Sequence, residues 1–134
     1  MLFLHRKGAA PSDQGPIVIP GSRGAFSFLV QPIGDKELAG YSLAHGAGRK
    51  WTRHRANEKG RSKFPNADQL KKTALGSVVV CDDKDLLYEE SPDAYKDISD
   101  IIDDLTEQGL VEVIAVMRPV LTYKTRSEKS GGGD

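Results

Sequence analysis

The run SPDAYKDISDIIDDLTEQGLVEVIAVM, Ser91 to Met117, changes its apolar period part-way, and that change decides the class of fold. In its first half apolar residues recur at Ala94, Tyr95, Ile98, Ile101, Ile102 and Leu105, one face of an α-helix. Ser91 can cap this helix, Pro92 suits its first turn, and Gly109 supplies the stop. The second half, Leu110 to Met117, is β-branched and nearly all apolar, which predicts a buried strand. A helix running into a strand of this kind, with further strands upstream, predicts an α+β chain.

Upstream, Pro16–Pro20 (PIVIP), Ala25–Val30 (AFSFLV) and Ser77–Cys81 (SVVVC) read as strands, and Tyr41–Ala44 as a short extended piece. Arg49 to Lys59 is basic and helical in composition, and Gly60–Asp68 reads as loop. Pro119–Thr125 continues as an extended end, and residues 127–134 (SEKSGGGD) form a polar, Gly-rich tail that predicts disorder. Residues 1–126 are then one domain-sized segment, with a mixed sheet, one clear amphipathic helix and one basic helix.

Nineteen Lys and Arg balance nineteen Asp and Glu over 134 residues, which excludes a globally basic coat for nucleic acid. The zero net charge hides a split. Ala44–Lys72 carries nine cations against Glu58 and Asp68, whereas Asp82–Glu112 carries twelve carboxylates against Lys84 and Lys96. Such asymmetry suggests a phosphate-facing region beside a solvated or partner-facing one; alternatively the two stretches neutralise each other across the fold. A single cysteine, Cys81, excludes an internal disulfide framework. No apolar run approaches the ~20 residues that span a bilayer, and the first residues are too short in their apolar part for a signal peptide. The expected setting is cytoplasmic, without a membrane partner.

Three stretches could carry chemistry. In His45-Gly46-Ala47-Gly48-Arg49, the small residues allow close backbone approach to a ligand, and N–H groups at the start of a basic helix can bind an anion. A histidine at such a site is a nucleophile toward phosphorus, a general acid or a metal ligand, or else a surface residue. Pro20-Gly21-Ser22-Arg23-Gly24 offers N–H groups, a hydroxyl and a guanidinium to phosphate oxygens, or is a tight turn that needs its glycines. His5-Arg6-Lys7-Gly8 places a histidine before two cations. Neither a P-loop nor a closed metal site can be written from three histidines and one cysteine.

Five segments together resemble the C-terminal part of RtcB-type RNA ligases, the 3′-phosphate/5′-hydroxyl nucleic acid ligases. They are HRKGA (His5–Ala9), IPGSRGAFSFLV (Ile19–Val30), HGAGRKWTR (His45–Arg53), CDDKDLLYEESPDAYKDI (Cys81–Ile98) and RPVLTYK (Arg118–Lys124). Their wording looks most like the branch coupled to a peptide-release-factor homologue. The resemblance implies joining of an RNA 3′-phosphate or 2′,3′-cyclic phosphate to a 5′-hydroxyl, with GTP and manganese, through a guanylylated histidine. By the same resemblance His45 is that nucleophile and His5 a manganese ligand. Arg6 falls in the nucleotide-binding stretch; Pro20, Gly21, Ser22 and Arg23 match the loop over the phosphates, and Ser27 a further nucleotide contact. Gly46, Ala47 and Gly48 match the backbone around the transferred nucleotide, and Tyr95 and Lys124 match groups near the guanine.

Two departures stand out. Position 23 is Arg where most of the family has Met, which adds a phosphate contact or marks the branch. The family's other manganese ligands, an Asp, a Cys and two His, belong to an N-terminal part outside these residues, and Cys81 follows the nucleophile rather than preceding it. The expectation is a ligase segment that is incomplete alone and is completed by a separate N-terminal half. The alternative is a non-catalytic remnant or a phosphate- or RNA-binding module.

Overall fold

The computed structural model describes residues 3–125, so the tail assigned to residues 127–134 lies outside the described residues. The elements in chain order are β1 (Ala9–Pro11), β2 (Ile17–Ile19), β3 (Ser27–Pro32), β4 (Ser42–Ala44), α1 (Arg53–Lys63), β5 (Val78–Cys81), α2 (Lys84–Glu89), α3 (Ile98–Glu107), β6 (Val111–Met117) and β7 (Leu121–Lys124). Short 3-10 turns occupy Ala67–Lys71 and Pro92–Ala94. The fold is α+β, with its strands divided among three small sheets. β1–β4 and β2–β3–β6 are antiparallel, and β5–β7 is parallel.

Two apolar clusters hold these pieces. In the first, α3 lays Ile98 and Ile102 on Ile19, Val30 and Val111 of the three-stranded sheet, with Leu43 and Ala47 beside them. The alternation of β2 and β3 puts every second residue on that face. In the second, Leu86, Leu87 and Tyr88 of α2 pack on Leu70, Val79 and Cys81. Helix α1 crosses α2 at Gly60, where a Cβ would stand only 3.0 Å from the Tyr88 ring, so the small residue sets how closely the helices approach.

The helix expected from Ser91 is broken. α3 starts at Ile98 under an Asp97 cap that accepts from the Ser99 N–H. Tyr95 is extended (φ −109°, ψ 154°) because its neighbours are taken by another strand-like piece. Lys50 N–H donates to Ala94 O at 2.8 Å, and Lys96 N–H to Gly48 O at 3.1 Å. Tyr95 therefore leaves the apolar helical face to which its spacing assigned it. The basic helix is also displaced: Thr52 accepts from Arg55 N–H and starts α1 there, and the helix runs on through Gly60–Lys63, which the sequence read as loop.

The strand expected to be buried forms but is not buried. β6 pairs only with β3, at the edge of its sheet. Only Val111 is buried, while Val113, Ile114, Val116 and Met117 are exposed. Apolar composition marks a strand without saying what covers it. Among the described residues no helix is long and apolar enough to cross a membrane.

The two charged stretches face each other. Arg61 pairs with Asp85, Lys63 with Asp93, and Arg53 with Glu89 at 3.6 Å and Glu90 at 3.4 Å. The outer pairs are solvated and each contributes little, about 0–1 kcal/mol.

Truncating Ile102 to Ala should cost about 2–5 kcal/mol, because it leaves a cavity under α3, whereas Ile114→Ala should change stability by no more than about 0.5 kcal/mol. Urea unfolding of the two variants checks this contrast. Equal losses would mean that β6 is covered.

Candidate functional site

Between β2 and β3 the chain reverses through Gly21–Gly24. Only glycine fits position 21, since a Cβ there would lie 2.0 Å from Phe26 O. The Gly21 N–H donates to Ser27 Oγ at 3.1 Å, and the Ala25 N–H to Ser22 O at 3.0 Å. Strand β4 delivers His45 and the loop Gly46–Gly48 alongside this turn. A Cβ on Gly46 would come within 3.3 Å of Pro20 O, and Gly48 turns the chain with φ +74°.

The two loops enclose one side of a cavity of about 540 Å³, the size of a nucleotide site. Pro20, Gly21, Ser22, Arg23 and Ser27 come from the first loop and its strand. His45, Gly46, Ala47 and Gly48 come from the second. Tyr95 and Lys124 stand on the opposite wall with Glu90, Pro119 and Thr122. His45 and Lys124 are exposed, while Ala47 and Arg23 are buried.

Glu90 organises the opposite wall. Its carboxylate accepts from Arg49 Nη2 at 2.6 Å and from the Tyr95 hydroxyl. Arg53 lies 3.4 Å and Lys124 3.9 Å from the same carboxylate. Arg49 also donates to Glu89 O at 3.0 Å and stacks on the Tyr95 ring, 4.9 Å from its centroid. Burial opposes ionisation of Glu90, but the Tyr95 hydroxyl, Arg49, Lys124 and Arg53 together hold its pKa below the ordinary value. Burial, with the adjoining carboxylate, pushes the Tyr95 phenol up. At neutral pH the wall thus holds an ionised carboxylate and a neutral phenol whose ring is fixed on its edge and on one face.

Arg23 is 8 % exposed, with Nη2 donating to Leu87 O at 2.7 Å. Burial lowers its pKa from the usual guanidinium value, although Cys81, Glu90 and Tyr95 act in the other direction.

His5 and Arg6 are not among the residues that line this cavity. Arg6 is tied to the start of β4, donating to Ser42 Oγ and Tyr41 O at 2.9 Å each, and His5 is exposed. Among the described residues no three His, Cys, Asp or Glu side chains stand together to hold a metal ion. The donors present do not fit a manganese centre by themselves. Cys81 is buried in the second apolar cluster, its thiol toward Asp83 O at 3.4 Å.

Sequence reasoning missed Glu90, Pro119 and Thr122. Glu90 is one carboxylate in an acidic run, and nothing in its spacing separates it from Glu89. Thr122 had a usable signal: it lies two residues before Lys124, on the same face of β7.

The family described as tRNA-splicing ligase RtcB matches residues 1–125. The chain belongs to that family. It is 47 % identical over 129 residues to RNA-splicing ligase RtcB2 of Escherichia coli, covering 96 % of this chain and 34 % of that protein. It is 37 % identical over 124 residues to RNA-splicing ligase RtcB of E. coli K12, covering 92 % and 28 %. With tRNA-splicing ligase RtcB of Methanocaldococcus jannaschii it shares 33 % over 139 residues, covering 92 % and 14 %. The chain therefore spans about a third or less of the length of these curated relatives.

Glu90→Gln should lower stability by about 1–3 kcal/mol at neutral pH, since Arg49 loses its charged acceptor. A carboxyl whose folded pKa is depressed stabilises fully above its unfolded value, here 4.5, and loses that contribution as pH falls through the folded value. Melting temperatures measured from pH 7 to pH 3 should fall less steeply for Glu90→Gln than for wild type.

Proposed function

We propose that this chain is the nucleotide-accepting segment of an RNA ligase that joins an RNA 3′-phosphate, or 2′,3′-cyclic phosphate, to a 5′-hydroxyl. The observation that carries this reading is His45, standing on a glycine loop at a nucleotide-sized cavity whose walls offer backbone N–H groups, a guanidinium, a phenol ring and an ammonium. Relatives that contain this segment are named RNA- or tRNA-splicing ligases.

In this reading an imidazole nitrogen of His45 attacks the α-phosphorus of GTP. A P–N bond forms as the bond to pyrophosphate breaks, and pyrophosphate leaves. Where the RNA end is a 2′,3′-cyclic phosphate, water first opens it, breaking the 2′ P–O bond to give a 2′-hydroxyl and a 3′-phosphate; an oxygen of the 3′-phosphate then takes the guanylyl group and frees His45. The 5′-hydroxyl attacks the activated phosphate, loses its proton and expels GMP. The turn at Pro20–Arg23, with Ser27, and the backbone at Gly46–Gly48 hold phosphate oxygens. Tyr95, fixed by Glu90 and Arg49, presents a stacking ring to the guanine, and Lys124 donates to the base carbonyl oxygen. Manganese would be held by His5 of this chain together with ligands on the rest of the ligase, and would offset the negative charge on the triphosphate. The same reading includes a polypeptide carrying the rest of the ligase, and a functional link to a peptide-release-factor homologue.

The test is covalent labelling with α-labelled GTP and manganese, on wild type and His45→Ala. Each is assayed alone and mixed with the remaining region of the E. coli RtcB2 relative. Label is expected in the mixture and lost in His45→Ala. Label on the chain alone would show that it needs no second polypeptide. No label on folded protein under either condition would overturn the covalent reading and favour a module that only binds phosphates or RNA.

A further inference from the structure

Strand β6 is apolar on both faces and open along one side. Val113 and Val116 pair with Val30 and Phe28, so they share the face that α3 covers. Yet Val30 is 0 % exposed, while Val113 is 37 % and Val116 56 % exposed. Ala115 and Met117 pair with Leu29 and Ser27 on the opposite face, where Met117 and Val18, the partner of Leu29 in β2, are exposed too. Among the described residues no strand lies along the other side of β6. Edge strands ordinarily carry a charge, a proline or a cover that stops other chains from pairing with them. Val113 to Met117, VIAVM, has neither charge nor proline. A strand of this composition, apolar on both faces, belongs in the interior of a sheet.

We propose that the open edge of β6 receives a strand from the region of the ligase that lies outside this segment. This rests on the ligase reading above and names the surface by which the segment joins the rest. Two observations select that occupant. The chain covers 34 % of E. coli RtcB2 and 28 % of E. coli K12 RtcB, so most of each relative lies outside the match and is long enough to supply a strand and its cover. The open edge also ends at the cavity: Met117 pairs with Ser27, and Ser27 and Pro119 both line it. A strand added to β6 stands two strand spacings, about 10 Å, from Ser27. It therefore brings its own side chains to the border of the same cavity. Main-chain hydrogen bonds hold such a strand, and the exposed apolar side chains fix its register.

The test is co-expression of the full chain with E. coli RtcB2 lacking the matched segment, and co-purification through a tag on the chain. Wild type, the double variant Ile114→Lys/Val116→Lys and Leu38→Lys are compared. Leu38 is an exposed apolar residue away from β6, at 87 %. Wild type should retain the ligase region. The double variant should retain it about tenfold less or worse, and Leu38→Lys within about twofold of wild type. The changed side chains are exposed, so melting temperatures should stay within about 4 °C of wild type. Hydrogen exchange on wild type reads the same edge without a substitution. Amides of β6 should exchange at least about a hundredfold more slowly in the complex than in the chain alone. Retention without protection of β6, or equal losses in the double variant and Leu38→Lys, overturns the proposal and leaves the two-part ligase standing. A wild-type chain that forms a dimer through β6, lost in the double variant, and retains no ligase region overturns it in favour of a second copy. Wild type that retains nothing and does not self-associate overturns it as well. Guanylyl label on His45 in the co-expressed material reports separately on the ligase reading.

Discussion

The arrangement depends on two backbone hydrogen bonds that join distant parts of the chain, Lys50 N–H to Ala94 O and Lys96 N–H to Gly48 O. They splice the loop after His45 onto the segment before α3. Arg49 and Tyr95 become cross-strand neighbours, which brings the guanidinium over the ring and both groups onto Glu90. The same pairing forbids Tyr95 a helical conformation. One short ladder thus delays the start of α3, orients a ring and closes a cavity wall. The left-handed turn at Gly48 lets the chain enter that ladder straight from the His45 loop.

Charge is distributed to serve this geometry more than to stabilise it. The exposed pairs of α1 with Asp85 and Asp93 are worth little individually. Glu90 differs because it is buried and several cations converge on it. A carboxylate in that position holds Arg49 and Tyr95 in register and draws Lys124 to the same wall.

Much of this was legible in residue patterns. Ile98, Ile102 and Leu105 marked the packed face of α3, and Gly109 ends that helix with φ +65°. The small residues of the His45 loop and the Pro20–Gly24 turn pointed to a backbone-lined site, and the structure brings the two together. What was not legible depended on partners far away in sequence. Tyr95 fits a helical period, yet its neighbours Ala94 and Lys96 are claimed by Gly48 and Lys50. Strand β6 reads as core because its residues are apolar, but only pairing reveals an edge. Helix α2, KDLLYE, is too short to show a period and sits in an acidic run. Glu90 is anonymous in sequence and acquires its role only when Arg49, Tyr95 and Lys124 converge on it.

The parallel pairing of β7 with β5 joins residues 78–81 to residues 121–124. Parallel strands close only through a long connection, and here everything from α2 to β6 is inserted between them. During synthesis the loops with His45 and Arg23 leave the ribosome before the strand bearing Thr122 and Lys124. The cavity is therefore the last part of the described chain to assemble. Until it does, β5 lacks its β7 neighbour, and the cavity lacks the wall that Pro119, Thr122 and Lys124 form. Vectorial synthesis thus leaves the cavity without its second wall until β7 has emerged.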